Sequence, residues 1–140
     1  MEEMPKNYDP STNEPAILQK WLDGGYYKRR EGVGDCTVTI PPPNVTGKLH
    51  MGHATDDSIQ DAIIRMARMR GKSTRWVLGT DHAGIATQTK VDKKLKSEGI
   101  SRLEIGRDKF VDACWDWTHE YGGHIVEQIK RMGCSIDFSD

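Results

Sequence analysis

Two histidines three positions apart, His50 and His53, bracket a Met-Gly pair in the stretch TIPPPNVTGKLHMGHA (residues 39–54). Such a pair could ligate a metal, or it could donate hydrogen bonds to phosphate oxygens as negative charge grows on them. A metal site needs more ligands, and Asp81 and His82 are the candidates. Against it, the intervening glycine loosens the ligand geometry and the HExxH signature is absent. The phosphate reading has more support. Gly47 and Gly52 let backbone approach a ligand with no Cβ in the way. A helix expected from about His53 would present unpaired N–H groups and a positive dipole end to an anion. The stretch matches neither the P-loop nor the GxGxxG fingerprint. These residues read as a nucleotide-phosphate site with no resident metal and no tightly bound cofactor.

Such side chains need a frame. CTVTI (residues 36–40) reads as a strand that Pro41 terminates, and RWVLG (residues 75–79) as a second. Between them, Ile59, Ala62, Ile63, Met66 and Met69 repeat at helical spacing, predicting a helix to Arg70 with that stripe buried. A further helix is expected from about Ile85 to Lys96. A long helical pattern follows from about Gly106 to Met132, where Gly122 and Gly123 mark close packing or a break. CSIDFSD then reads as the start of a third strand. Near the N-terminus, STNEPAILQKWLDGG predicts a short docking helix capped by Thr12 or Asn13, with Ile17, Leu18, Trp21 and Leu22 on one face.

Alternating strands and helices predict an α/β fold with a Rossmann-like parallel sheet and flanking helices. Ligands in such sheets bind beyond the carboxyl ends of the strands. The loop after the first strand and the GTDHAGIATQ segment after the second should therefore face one pocket. Asp81, at the end of the second strand, needs a cationic partner or caps the next helix.

Composition narrows the function classes. The chain has 140 residues and a net charge of -1, from 20 basic and 21 acidic side chains. That balance argues against a general polyanion-binding surface. No apolar run approaches the roughly 18 residues of a membrane span, and MEEMPKNYDP carries no apolar signal core. Cys36, Cys114 and Cys134 are widely spaced and read as free thiols, which makes cytoplasm the expected compartment. The basic cluster Arg65, Arg68, Arg70, Lys72 and Arg75 reads as a solvated helix face rather than an RNA contact. Trp115 and Trp117 read as core packing, and His119 and His124 carry no assigned role.

His50-Met51-Gly52-His53 resembles the HIGH signature of class I aminoacyl-tRNA synthetases. PPPNVTGKLHMGH together with GTDHAGIATQ resembles the valine branch of that class, and the likeness extends through EYGGHIVEQIKRMGCSIDFS. The resemblance implies the first half of a class I catalytic domain. Residues 1–34 would be a helical appendage and 35–140 the N-terminal half of the Rossmann domain. The editing domain, the KMSKS half and the anticodon-binding domain would lie elsewhere. It implies ATP-dependent activation of L-valine, with Mg2+, to valyl-adenylate and transfer to tRNA(Val) by a monomeric parent enzyme. On this reading His50 and His53 are the catalytic phosphate contacts. Thr46, Gly47 and Gly52 complete the ATP site, Gly52 by leaving room for adenine. Pro42 and Asn44 line the valine site, and Asp81 pairs with the valine ammonium. The alternatives are a stand-alone HxGH nucleotidyltransferase or a non-catalytic, synthetase-derived interaction module.

Overall fold

The structure, a computed structural model, describes residues 6–139. Residues 1–5 of the expected appendage and Asp140 of the expected third strand lie outside the described residues. The first helix, α1, spans Pro10–Asp23. It starts earlier than Thr12 or Asn13 would allow. Asp9 is the cap, its carboxylate accepting from the Ser11 amide at 3.0 Å, and Pro10 supplies a pre-set first helical residue. Leu18, Trp21 and Leu22 are half-buried while Ile17 turns outward, so α1 docks by a narrow face.

The centre is a β1–α2–β2 unit. Strand β1 (Asp35–Thr39) pairs in parallel with β2 (Ser73–Val77), from Asp35 opposite Ser73 to Thr39 opposite Val77. Helix α2 (Met51–Met69) makes the connection. Two further helices follow, α3 (Gly84–Ser97) and α4 (Arg102–Arg131). Ile40, Val45, Ile64, Trp76, Ile125, Ile129, Cys134 and Ile136 form the core, which α4 closes from one side.

Four further expectations are corrected. The segment after α4 forms no strand, and the described residues hold a two-stranded sheet. Side chains of α2 take the backbone bonds that a ladder would have used. The Ser135 amide donates to Asp61 Oδ1 at 2.9 Å, and Arg65 donates to the Gly133 carbonyl at 2.7 Å.

The apolar row on α2 is inverted. Ile59, Ile63, Met66 and Met69 are exposed, whereas Asp57, Ile64 and Ala67 are buried. Those three lie on the opposite side of the helix, and polar anchors such as Gln60 to the Trp76 indole at 3.0 Å hold that side against the sheet. Periodicity located a face without saying which way it points.

The expected break at Gly122 and Gly123 is absent, because α4 runs through both. Its backbone departs from helical geometry at Gly106 instead (φ 79°, ψ 170°). A Cβ on Gly122 would sit 4.0 Å from Val45 and one on Gly123 in open space, so packing does not require either glycine.

Finally, Arg65 and Arg68 are not a solvated face. Arg65 pairs with Asp61 at 2.7 Å, both reach backbone carbonyls of the 133–135 segment, and both stack over Tyr27.

Candidate functional site

The first loop leaves β1 through Pro41, Pro42 and Pro43, three residues with no amide to donate. The ladder therefore ends with the Ile40 amide on the Val77 carbonyl at 3.1 Å and reopens only beyond the prolines. There Asn44 and Asp81 form an isolated parallel bridge. The Val45 amide donates to the Asp81 carbonyl at 3.0 Å, and the Asp81 amide to the Pro43 carbonyl at 2.9 Å. The two loops are thus stitched side by side beyond the strand ends, as the topology requires. Pro42, Asn44 and Asp81 are exposed at this rim, while Pro43 and Val45 are buried beneath it.

The loop then enters α2. His50 is the N-cap, and its Nδ1 accepts from the Gly52 amide at 3.1 Å. In return His53 Nδ1 accepts from the His50 amide at 3.2 Å, and the two rings lie 4.0 Å apart. A ring nitrogen that accepts carries no proton, so each neutral imidazole holds its hydrogen on Nε2. Burial first, and the neighbouring His50 second, hold the His53 pKa below the ordinary imidazole value. With both Nδ1 atoms accepting, the pair presents two Nε2–H donors at a helix N-terminus. Gly52 has a local reason to lack a side chain, since a Cβ there would meet the His50 ring at 2.9 Å. Beside Gly47 there is open space, with nothing within 4 Å of an added Cβ.

The second loop turns sharply. Ala83 adopts a left-handed conformation (φ 44°, ψ 48°), uncommon for a residue with a side chain and frequent at functional turns. Asp81 Oδ1 accepts from the Ala83 amide at 2.9 Å, so this carboxylate braces the turn into α3 without being its N-cap. Asp81 stays exposed. Among the described residues no three His, Cys, Asp or Glu side chains gather into a metal-holding group, so His50, His53, Asp81 and His82 are not assembled as a ligand set.

Helix α4 supplies contacts that sequence reasoning missed. The Trp117 indole Nε1 donates to the Val45 carbonyl at 2.8 Å, its ring stacked on Tyr121. The Leu49 amide donates to Gln128 Oε1 at 3.0 Å. Trp115, half exposed, meets the His82 ring edge-on at 5.5 Å and stacks with His119. A groove of about 570 Å3 opens beside His82 between α3 and α4, apart from the first loop. The usable signal for Trp117 was its polar tip, because a buried indole N–H needs an acceptor.

Several known proteins resemble this chain. The family model of class I tRNA synthetases (I, L, M and V) matches residues 16–140. A valine–tRNA ligase of Enterococcus faecalis is 51% identical over 138 residues, covering 97% of this chain and 16% of that protein. One from Lactiplantibacillus plantarum is 50% identical over 139 residues, with 98% and 16% covered. The chain thus spans about a sixth of the length of these relatives. In fold it is similar to the LeuRS of Agrobacterium radiobacter K84, solved as a ternary complex with tRNA and LeuAMS. The TM-score is 0.72 at 20% identity, over 93% of this chain and 15% of that one.

Proposed function

Because the chain belongs to the class I tRNA synthetases of the isoleucine, leucine, methionine and valine group, we propose that it carries one half of a site that activates valine with ATP for transfer to tRNA. The observation that supports it is the Asn44–Asp81 bridge, which holds the loop leading into the histidine-capped N-terminus of α2 beside the segment that carries Asp81. On this reading ATP, with its Mg2+, is a substrate. The Nε2–H groups of His50 and His53 donate to its phosphates. Thr46 and Gly47 line its path, and Gly52 allows the close turn that sets the rings. The valine ammonium pairs with Asp81, and Pro42 and Asn44 flank it. The valine carboxylate attacks the α-phosphorus and pyrophosphate leaves, giving valyl-adenylate. These residues form no covalent bond to substrate; they hold it in line and stabilise charge that builds on oxygen. Valine as the amino acid rests on the ligases to which the chain is about half identical.

Residues 35–140 would then be the first half of the catalytic domain and residues 1–34 an appendage on it. The exposed rim argues against a synthetase-derived module whose cleft has been sealed. Calorimetry with ATP and a non-hydrolysable valyl-adenylate analogue tests the reading. Binding is expected, together with its loss in His53→Ala and Asp81→Ala; unchanged affinity in both variants overturns the assignment. The isolated chain is expected not to charge tRNA efficiently, and robust charging would refute that part.

A further inference from the structure

Between Ile40 and the start of α2 the first loop has no strand partner beyond its bridge to Asp81. Among the described residues, the side-chain hydrogen bonds to its backbone between Val45 and Leu49 come from one helix. Trp117 grips the Val45 carbonyl at 2.8 Å, and Gln128 grips the Leu49 amide at 3.0 Å. The two side chains are eleven positions apart on α4, which is three helical turns, so they project from the same face roughly 16 Å apart. Thr46 and Gly47 lie between the grips and His50 immediately after them. Val45 is fully buried at the first grip, and Trp117 is held in turn by stacking on Tyr121 at 4.1 Å. The loop cannot supply these restraints itself, because its prolines donate nothing and Gly47 adds backbone freedom.

We propose that Trp117 and Gln128 are positioning residues for the phosphate-binding loop. They set the distance between the Asn44–Asp81 bridge and the His50 cap without touching substrate. The role in binding rests on the proposed ATP and valine site; the clamp itself does not. Both are tested on the 140-residue chain with Trp117→Phe, which keeps an aromatic ring and removes the donor, and Gln128→Met, which keeps length and removes the acceptor. Gln128→Glu retains an acceptor and is the rescue variant.

The Leu49 amide reports the clamp directly by NMR-detected hydrogen exchange. It should exchange about tenfold faster in Gln128→Met and near the wild-type rate in Gln128→Glu, with core amides unchanged. Affinity for the adenylate analogue should fall about tenfold in Gln128→Met and in Trp117→Phe, the effect of one net hydrogen bond, and recover in Gln128→Glu. Leu49 protection that ignores Gln128→Met overturns the clamp. Faster exchange with unchanged analogue affinity overturns the positioning role. If the wild-type chain binds no analogue, the functional reading falls while exchange at Leu49 still decides the clamp. Should Trp117→Phe fail to fold, Gln128→Met decides alone.

Discussion

The two histidines of the HMGH stretch cap α2, and substitutions can separate that role from the phosphate contacts proposed for them. His50 caps α2, so His50→Ala should cost about 1 kcal/mol in chemical denaturation. His50→Asn replaces one good cap by another and should keep stability while losing affinity for ATP; retained affinity would reduce His50 to a helix cap. The pH dependence follows from the same geometry. His53 accepts the His50 amide through Nδ1, and its pKa in the fold lies below the unfolded value. The stability it brings is therefore present above about pH 6.5 and lost as pH falls below it. Exchange at the His50 amide should accelerate on acidification ahead of the core.

Asp57 behaves oppositely. Its side chain is 2% exposed, Oδ2 has no partner, and burial, with Asp56 second, raises its pKa to about 6. Folding is least penalised where Asp57 is neutral, and stability declines as pH rises through that value. Asp57→Asn should stabilise the chain at pH 8 by on the order of 1–3 kcal/mol and give no gain at pH 4. Denaturant melts at the two pH values decide it.

At the scale of elements, α2 is the instructive case. Its most regular apolar row faces solvent, and its packed side mixes Ile64 and Ala67 with Asp57, Gln60 and Asp61. Ile64→Ala should therefore cost roughly 2–5 kcal/mol, whereas Met66→Lys should change stability by less than about 0.5 kcal/mol. Equal costs in thermal melts would contradict the orientation of the helix. The segment after α4 makes a related point. Its sequence alternates like a strand, yet Asp61, Arg65 and Arg68 hold its backbone to α2. Side chains from an element some seventy residues away took bonds that local pattern assigned to a ladder. The long helix was legible because Ile125 and Ile129 recur at the right spacing and are indeed buried. The interruption was misplaced from Gly122 to Gly106, since glycine permits a left-handed turn without demanding one.

For the whole molecule, Cys134 offers a single probe. It lies in the core at the start of the segment that follows α4, and burial, with Asp61 and Asp57 nearby, pushes its thiol pKa up to about 12. Alkylation should reach half-buried Cys36 and Cys114 in the native chain and Cys134 only on global unfolding, as peptide mapping would show. Native-state modification of Cys134 at a similar rate would mean that the core is open.

The residues determined the site's chemical vocabulary by themselves. Prolines must end a ladder, a histidine-glycine pair must suit a helix entrance, and loops after parallel strands must converge. Those are local or topological constraints, and the Asn44–Asp81 bridge meets them. Only the tertiary structure decided which face of α2 is inward, that the sheet has two strands among the described residues, and that α4 grips the first loop. Each of these depends on competition between distant partners for the same backbone groups or the same apolar surface. Periodicity within one segment carries no information about who wins.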